Sequence, residues 1–312
     1  MSYSPRTMTV MEDDNLRQAA IVVASLELLP AQPSDLTYIL RDPAQFRALL
    51  DPSLLDPSNR SSDSELVRYL HESLDHARIE YWHKQIDILA RDGVARPLLS
   101  SDTCDAPGYP ARLAECWDAP PILFATAALD RESSSVAIIG SRSAGTEVIR
   151  DTHELAADLA ATGTTIVSGL ALGVDAAAHE GALAADGATV AVMGTGITRI
   201  YPEQNIDLAR RIRKNGVLVS QFAPYAPRTR TSFLRRNHVI AGLSDISIIM
   251  SGESRSGSRH EIEQAIGYGR PVLMWSPALE HQDWARKLAD DGKASFITSA
   301  EEVRRTLDGI DQ

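Results

Sequence analysis

Five short apolar runs in this 312-residue chain each end in small, polar or cationic residues. The first is followed by Gly140-Ser141-Arg142, and the second by Ser168-Gly169-Leu170-Ala171-Leu172-Gly173-Val174-Asp175 and then His179. Gly194-Thr195-Gly196 follows the third, with Tyr201 and Asn205 a few residues on. The fourth gives way to a long loop, Gln221–Ser232, which carries Arg228 and Arg230 and leads into Phe233-Leu234-Arg235-Arg236-Asn237-His238. The fifth opens into Ser251–Ser258, where Ser256, Gly257 and Ser258 stand together. Glycine lets backbone approach a ligand closely, serine adds a hydroxyl, and arginine forks onto phosphate. A single glycine after a strand is commonly a turn requirement. Five such ends in succession describe an anion-binding floor. Asp175 and His179, four apart on one helix, read as a pair that organises a loop through hydrogen bonds, as do Tyr201 and Asn205.

Other chemistries lack their residues. The chain has no GxxxxGK[ST], and Gly194-x-Gly196-x-x-Arg199 lacks the third glycine of a dinucleotide fingerprint. It has no HExxH, no histidine cluster at zinc spacing and no GxSxG elbow. Its two cysteines, Cys104 and Cys116, form neither a metal pair nor a disulfide framework. Neither a metal nor a cofactor is expected. The polar, acidic amino terminus is not a secretory signal, and no apolar run approaches the roughly 18 residues of a membrane span. The expectation is a cytoplasmic protein with no membrane partner.

Charge is divided unevenly. With 31 Lys+Arg against 42 Asp+Glu, the formal net charge is −11, which argues against a polyanion covering the whole surface. Between Arg199 and Arg270, however, twelve basic residues face six acidic ones, a net of +6 that leaves −17 elsewhere. Such a segment is the footprint of a localised polyanion site. Arg210, Arg211, Arg213 and Lys214 fall late in a helix, where cations suit the dipole and a solvated face accounts for them. Arg228, Arg230, Arg235 and Arg236 fall on a loop and at a helix start, where the dipole disfavours them. Function accounts for these four better.

The elements that must position these residues are legible from texture. Residues 1 to about 95 read as a helical amino-terminal domain, with helices over Asn15–Leu29 and Ser62–Arg91 and a cap for a short helix at Ser34-Asp35. Residues 96–133 read as a connector rich in Pro, Asp and Ser. From 134 to 312, β-branched runs at Val136–Ile139, Thr165–Val167, Thr189–Met193, Val217–Val219, Ile246–Met250, Pro271–Trp275 and Ser295–Ile297 alternate with helical patterns. Continuous apolar strands separated by helices are what a parallel sheet buried on both faces requires, so the fold class is α/β, a doubly wound, mostly parallel sheet.

In sequence the chain resembles the DNA-processing protein A (DprA/Smf) family. The likeness rests on YPARLAECWDAPPILF (Tyr109–Phe124), AIIGSR (Ala137–Arg142), SGLALGVDAAAH (Ser168–His179), GTGITRIYPEQNIDL (Gly194–Leu208), FLRRNHVIAGLS (Phe233–Ser244), SGS (Ser256–Ser258) and GRPV (Gly269–Val272). It implies an extended Rossmann-like core, single-stranded DNA as ligand, a RecA-type recombinase as partner in transformation or recombination, and a homodimer. This chain departs from the family where Gln221 stands for glutamate, Leu234 for proline, His238 for arginine, and Glu261 for threonine. No winged helix is expected in the stretch after Pro277.

Two functions are weighed. In the first, a non-enzymatic binder of single strands, Arg142, Arg236 and the amides of Gly140, Gly169 and Gly257 hold phosphates. Ser141, Ser168, Gly173, Gly194, Gly196, Asn237, Ser256 and Ser258 complete the floor, Arg228, Arg230, Arg235 and His238 extend the track, and Phe222, Tyr225 and Phe233 stack on bases. The second, suggested by Gly257-Ser258-Arg259-His260-Glu261, is a nucleotide-binding protein or nucleoside-monophosphate hydrolase akin to the phosphoribohydrolases, with Glu261 as acid–base or ribose ligand and Arg142 as phosphate anchor.

Overall fold

A computed structural model describes residues 5–28, 33–56, 58, 61–100, 108–129, 133–253 and 257–310. The chain divides into two compact units: Met1–Tyr109 with Trp117–Phe124, and Pro110–Cys116 with Ala125–Gln312.

The first unit is mainly helical: α1 (Pro5–Leu28), α2 (Pro33–Arg41), α3 (Pro43–Leu50), α4 (Ser62–Ser73) and α5 (His76–Arg91). The single helix expected over Ser62–Arg91 is two. Leu74 is extended (φ −70°, ψ 114°), and the Asp75 carboxylate accepts the Ala77 N–H at 2.9 Å, restarting the helix. A short acidic side chain that captures a backbone N–H favours a cap over a helix interior. Glu27 joins α1 to α5, accepting from Arg78 Nε and Nη2 at 2.7 and 2.6 Å and from Trp82 Nε1 at 2.9 Å. The connector is more ordered than its composition suggests. It contains β1 (Arg96–Leu99), α6 (Ala111–Ala114) and β2 (Ile122–Ala125). The apolar run Ile122–Phe124 is fully buried, and the prolines before it obscured a strand.

The second unit carries seven parallel strands: β3 (Ser135–Ile139), β4 (Thr165–Ser168), β5 (Thr189–Val192), β6 (Val217–Ser220), β7 (Ile246–Ile249), β8 (Val272–Trp275) and β9 (Ser295–Ile297). They lie in the order β6-β5-β4-β3-β7-β8-β9. Val136 sits opposite Ile166 of β4 on one side and Ile246 of β7 on the other. Helices α7 (Thr146–Ala160), α8 (Val174–Ala184), α9 (Ile206–Asn215), α10 (Arg230–Gly242) and α11 (Gly257–Gly267) connect them, followed by α12 (Ser276–Leu279), α13 (Asp283–Asp290) and α14 (Ala300–Ile310). This is the doubly wound α/β fold expected from the run pattern. Every residue of β3 is buried, and alternate residues point to opposite faces, so both faces need cover. Val136 and Ile138 pack with Leu155 and Leu159 of α7, Ala178 of α8 and Val303 of α14 in one core.

Chain order fixes where a ligand can sit. The chain winds outward from β3 through β4, β5 and β6, then returns to place β7 on the opposite side of β3. Loops leaving the carboxyl ends of β3 and β7 therefore diverge, and a crevice opens between them at the switch point.

Candidate nucleic-acid interface

A cavity of about 1150 Å³ lies at that switch point. Gly140, Ser141 and Arg142 line it from the end of β3, and Ser251, Gly252 and Glu253 from the end of β7. Close approach of the loops requires glycine at two places. A Cβ on Gly140 would lie 2.7 Å from Val174 Cγ2, and one on Gly173 (φ +77°) would overlap the backbone of Ser141 and Arg142. Ser251 Oγ accepts the Ser141 N–H at 3.0 Å, tying the two diverging loops together.

The mouth is cationic and aromatic. The Arg142 guanidinium lies over the Phe233 ring at 5.5 Å, Phe233 tilts against Tyr201 at 5.5 Å, and Arg228 lies over Tyr201 at 4.9 Å. Two exposed arginines thus clasp two partly buried rings, within the range where a cation is drawn to a ring face. Arg230 is the first residue of α10. The helix begins three residues earlier than its apolar pattern suggests because Thr229 Oγ1 accepts the Ser232 N–H at 3.0 Å and Ser232 Oγ accepts the Thr229 N–H at 3.1 Å. A guanidinium at that first position opposes the helix dipole, so structure alone does not favour it.

The floor is different in kind. Arg236 is 4% exposed. Its Nη1 donates to the carbonyls of Gly169 and of Val192 (2.7 Å), its Nε donates to Asn237 Oδ1 at 3.1 Å, and Nη2 stands 4.0 Å from Asp175 Oδ2. Asp175 accepts the Ala171 N–H at 3.3 Å. Glu261 completes the group from α11, also buried. Burial raises the Asp175 carboxyl above its usual range against the pull of Arg236, and lowers Arg236. Burial, then the Asp175 charge, pushes Glu261 well up, so it holds its proton.

The expected site residues therefore separate. Arg142, Arg228, Arg230 and Phe233 meet at the mouth, with Gly140, Ser141, Arg236 and Asn237 deeper in. Arg235 and His238 project from another side of α10 and do not line the cavity; Arg235 lies over Phe222 at 5.7 Å and His238 Nε2 meets Gln221 Oε1 at 2.9 Å. Tyr225 is not part of the lining either. Four positions expected to face phosphate turn inward instead. Ser168 Oγ donates to Ile138 O at 2.6 Å, Gly169 gives its carbonyl to Arg236, Gly194 packs under the Phe233 ring, and the Gly196 N–H is taken by Ala226 O at 3.0 Å. Close packing of chain on chain explains these residues. Ser256 lies outside the described residues, and Gly257 and Ser258 are described as backbone alone.

Of the loop-organising residues, Asn205 Nδ2 donates to the carbonyls of Leu170 and Ala171 at 3.0 and 3.1 Å. His179 is fully buried. Thr189 Oγ1 spends its hydrogen on Ile166 O, so His179 Nδ1 donates to Thr189 Oγ1 at 2.7 Å. Burial drives this histidine down to about 3, and it is neutral. Sequence reasoning missed the end of β8, where Ala278 and Gln282 also line the cavity. Reading one strand end further would have reached Ser276–Gln282.

With this geometry in hand, comparison with known proteins is direct. The sequence profile of DNA recombination-mediator protein A matches residues 102–308. The chain belongs to this family. Among DNA recombination-mediator relatives, DNA processing protein DprA of Bacillus subtilis is 30% identical over 281 residues, covering 84% of this chain and 93% of that protein. Protein Smf of Synechocystis sp. is 35% identical over 215 residues, covering 67% of this chain and 54% of its own length. The chain thus spans about half of that relative. The crystal structure of DprA from Streptococcus pneumoniae is similar with a TM-score of 0.64 at 27% identity, over 90% of this chain and 97% of that one. DNA processing protein A from Helicobacter pylori, whose structure concerns its single-stranded DNA binding mode, has a TM-score of 0.58 at 30% identity, over 65% and 94%.

Proposed function

We propose that this chain binds single-stranded DNA across the switch-point cavity and delivers it to a RecA-type recombinase, acting as a homodimer. The observation that carries the DNA-binding part is the Arg142–Phe233–Tyr201–Arg228 series at the mouth. Guanidinium groups neutralise phosphates, and rings offer faces to unstacked bases; a duplex presents its phosphates but keeps its bases stacked. Family membership and the DNA-binding relative from Helicobacter pylori support the same reading. Recombinase delivery and the homodimer rest on the resemblance of the motifs to the DprA/Smf family. The hydrolase alternative has Glu261 in the cavity wall, but Asp175, the other carboxyl of the floor, is engaged with Arg236 and Ala171 rather than free to activate water.

Fluorescence anisotropy of a labelled single strand, competed by unlabelled single strand and by duplex at two salt concentrations, tests the reading. Single strand should compete at least tenfold better than duplex, and Arg142→Ala should weaken binding about tenfold, the scale of one charged hydrogen bond. Equal competition by duplex, or unchanged binding by Arg142→Ala, would sink it. Addition of a RecA-type recombinase to the bound strand, followed by filament formation, tests the delivery step.

A further inference from the structure

The first unit keeps much apolar surface in water. Among the described residues, seven of the ten large apolar side chains open to solvent belong to it, although it holds little more than a third of the chain. Exposed apolar groups scattered singly need no explanation. Trp117, 70% exposed, and Tyr38, 62% exposed, are grouped. Tyr38 and Arg41 stand three apart on α2 and so share a face, while Leu36, Ile39 and Leu40 are buried on the other. Arg41 Nη1 donates to the Trp117 carbonyl at 3.4 Å, which brings the loop before β2 beside that face. Tryptophan, tyrosine and arginine are the residue types enriched at the energetic centres of protein interfaces.

Charge selects the occupant. The first unit carries ten basic residues against eighteen acidic ones, a net of −8 that leaves −3 for the rest of the chain. Within the patch, Asp42 follows Arg41 and Asp118 follows Trp117, so Tyr38 and these four residues sum to −1. This field repels a phosphate chain, an anionic lipid surface and a second copy of the same unit. It attracts a cationic protein segment. Ring faces of tryptophan and tyrosine then hold cations at close range, and the planar guanidinium of arginine stacks on them where an ammonium does not. We propose that the Tyr38–Arg41–Trp117 surface docks an arginine-rich segment of a partner protein. This site is separate from the switch-point cavity and does not depend on strand binding there.

Fluorescence anisotropy on the full chain with labelled octa-arginine, octa-lysine and octa-glutamate peptides tests the proposal. Octa-arginine should bind more tightly than octa-lysine, and octa-glutamate should not bind. Trp117→Ala and Tyr38→Ala should each weaken octa-arginine binding about three- to tenfold, the scale of one cation–ring contact. Trp117→Phe, which keeps a ring face, should retain most of the affinity. Tyr69→Ala, which removes an exposed ring from α4 of the same unit, should leave it unchanged. Thermal melting of each variant checks the fold, and the wild-type peptide series needs no variant. Octa-arginine no tighter than octa-lysine overturns the proposal, as does an equal effect of Trp117→Ala and Tyr69→Ala. Loss of single-strand binding in Trp117→Ala would make the ring a nucleic-acid contact, and loss of self-association in sedimentation would make the occupant a second copy. Either result also overturns it.

Discussion

Arg236 Nη2 stands 4.0 Å from Asp175 Oδ2, with both residues at least 95% buried, and the same guanidinium holds the carbonyls of Gly169 and Val192. One cation thereby joins α10, α8 and the ends of β4 and β5. Its role in the site is to fix the floor on which the mouth residues stand.

Removing this cation should unfold rather than merely weaken. Arg236→Ala leaves Asp175 buried without its partner and two carbonyls without their donor, a loss of about 3–5 kcal/mol. Denaturant titration should show it. A variant of wild-type stability with weakened strand binding would mean that the floor tolerates the loss and that Arg236 serves the ligand directly.

The mouth arginines should behave in the opposite way. Arg142→Ala, Arg228→Ala and Arg230→Ala are exposed and should each change stability by less than about 0.5 kcal/mol. Each should flatten the dependence of log affinity for single strands on log salt by about 0.7. Binding isotherms from low to high salt give that slope directly.

The Phe233 ring lies beneath the Arg142 guanidinium and tilts against Tyr201, so a base reaches it by displacing that guanidinium. Phe233→Leu should lower single-strand affinity by about 1–3 kcal/mol if a base stacks there, with the salt slope unchanged. Affinity measured at a single high salt concentration isolates this contribution. The nearby Gly194 constrains the ring, because a Cβ there would come within 2.6 Å of Phe233 Cδ1. Gly194→Ala should accordingly reduce binding through the same ring.

Glu261 makes stability fall with rising pH. Its carboxyl lies well above its ordinary value of 4.5 in the fold, so the folded state holds a proton that the unfolded chain releases. The Glu261 contribution is intact below about 4.5 and declines as pH rises from there through the raised value, by at most about 1.4 kcal/mol per pH unit. Glu261→Gln should remove that decline. Urea midpoints at pH 5 and pH 8, compared between the two proteins, should converge at the lower pH and separate at the higher.

His179 acts on the acid side. Its ordinary value of 6.5 falls to about 3 in the fold, so the unfolded chain takes up a proton that the folded one refuses. Its contribution is complete above 6.5 and is lost as pH falls toward 3. His179→Gln should shallow the acid limb of a stability profile between those values. An unchanged limb would place the lost protons on other groups.

Much of this was written into the chain. β-branched runs such as Val136–Ile139 have to be strands covered on both faces, because every residue is apolar and alternate side chains point opposite ways. Small and cationic residues after those runs mark the carboxyl ends, and Gly140, Ser141 and Arg142 do reach the cavity. Composition misled where a local hydrogen bond overrode it, as at Asp75, and where prolines flanked a buried strand, as at Ile122–Phe124.

Sequence alone determined that loops rich in glycine and arginine would gather at one edge of a parallel sheet, since crossover handedness and strand polarity admit no other arrangement. It could not separate four neighbouring arginines. Arg235 and Arg236 are adjacent, yet one lies over Phe222 and the other is buried on Asp175, because successive helix positions are rotated by about 100°. Packing also decided the fate of Ser168, Gly194 and Gly196, whose polar or open character serves the fold, and left Glu261 with an unmet oxygen in the cavity wall. Those outcomes depend on which distant segment arrives beside each residue, and only the assembled sheet and helices set that.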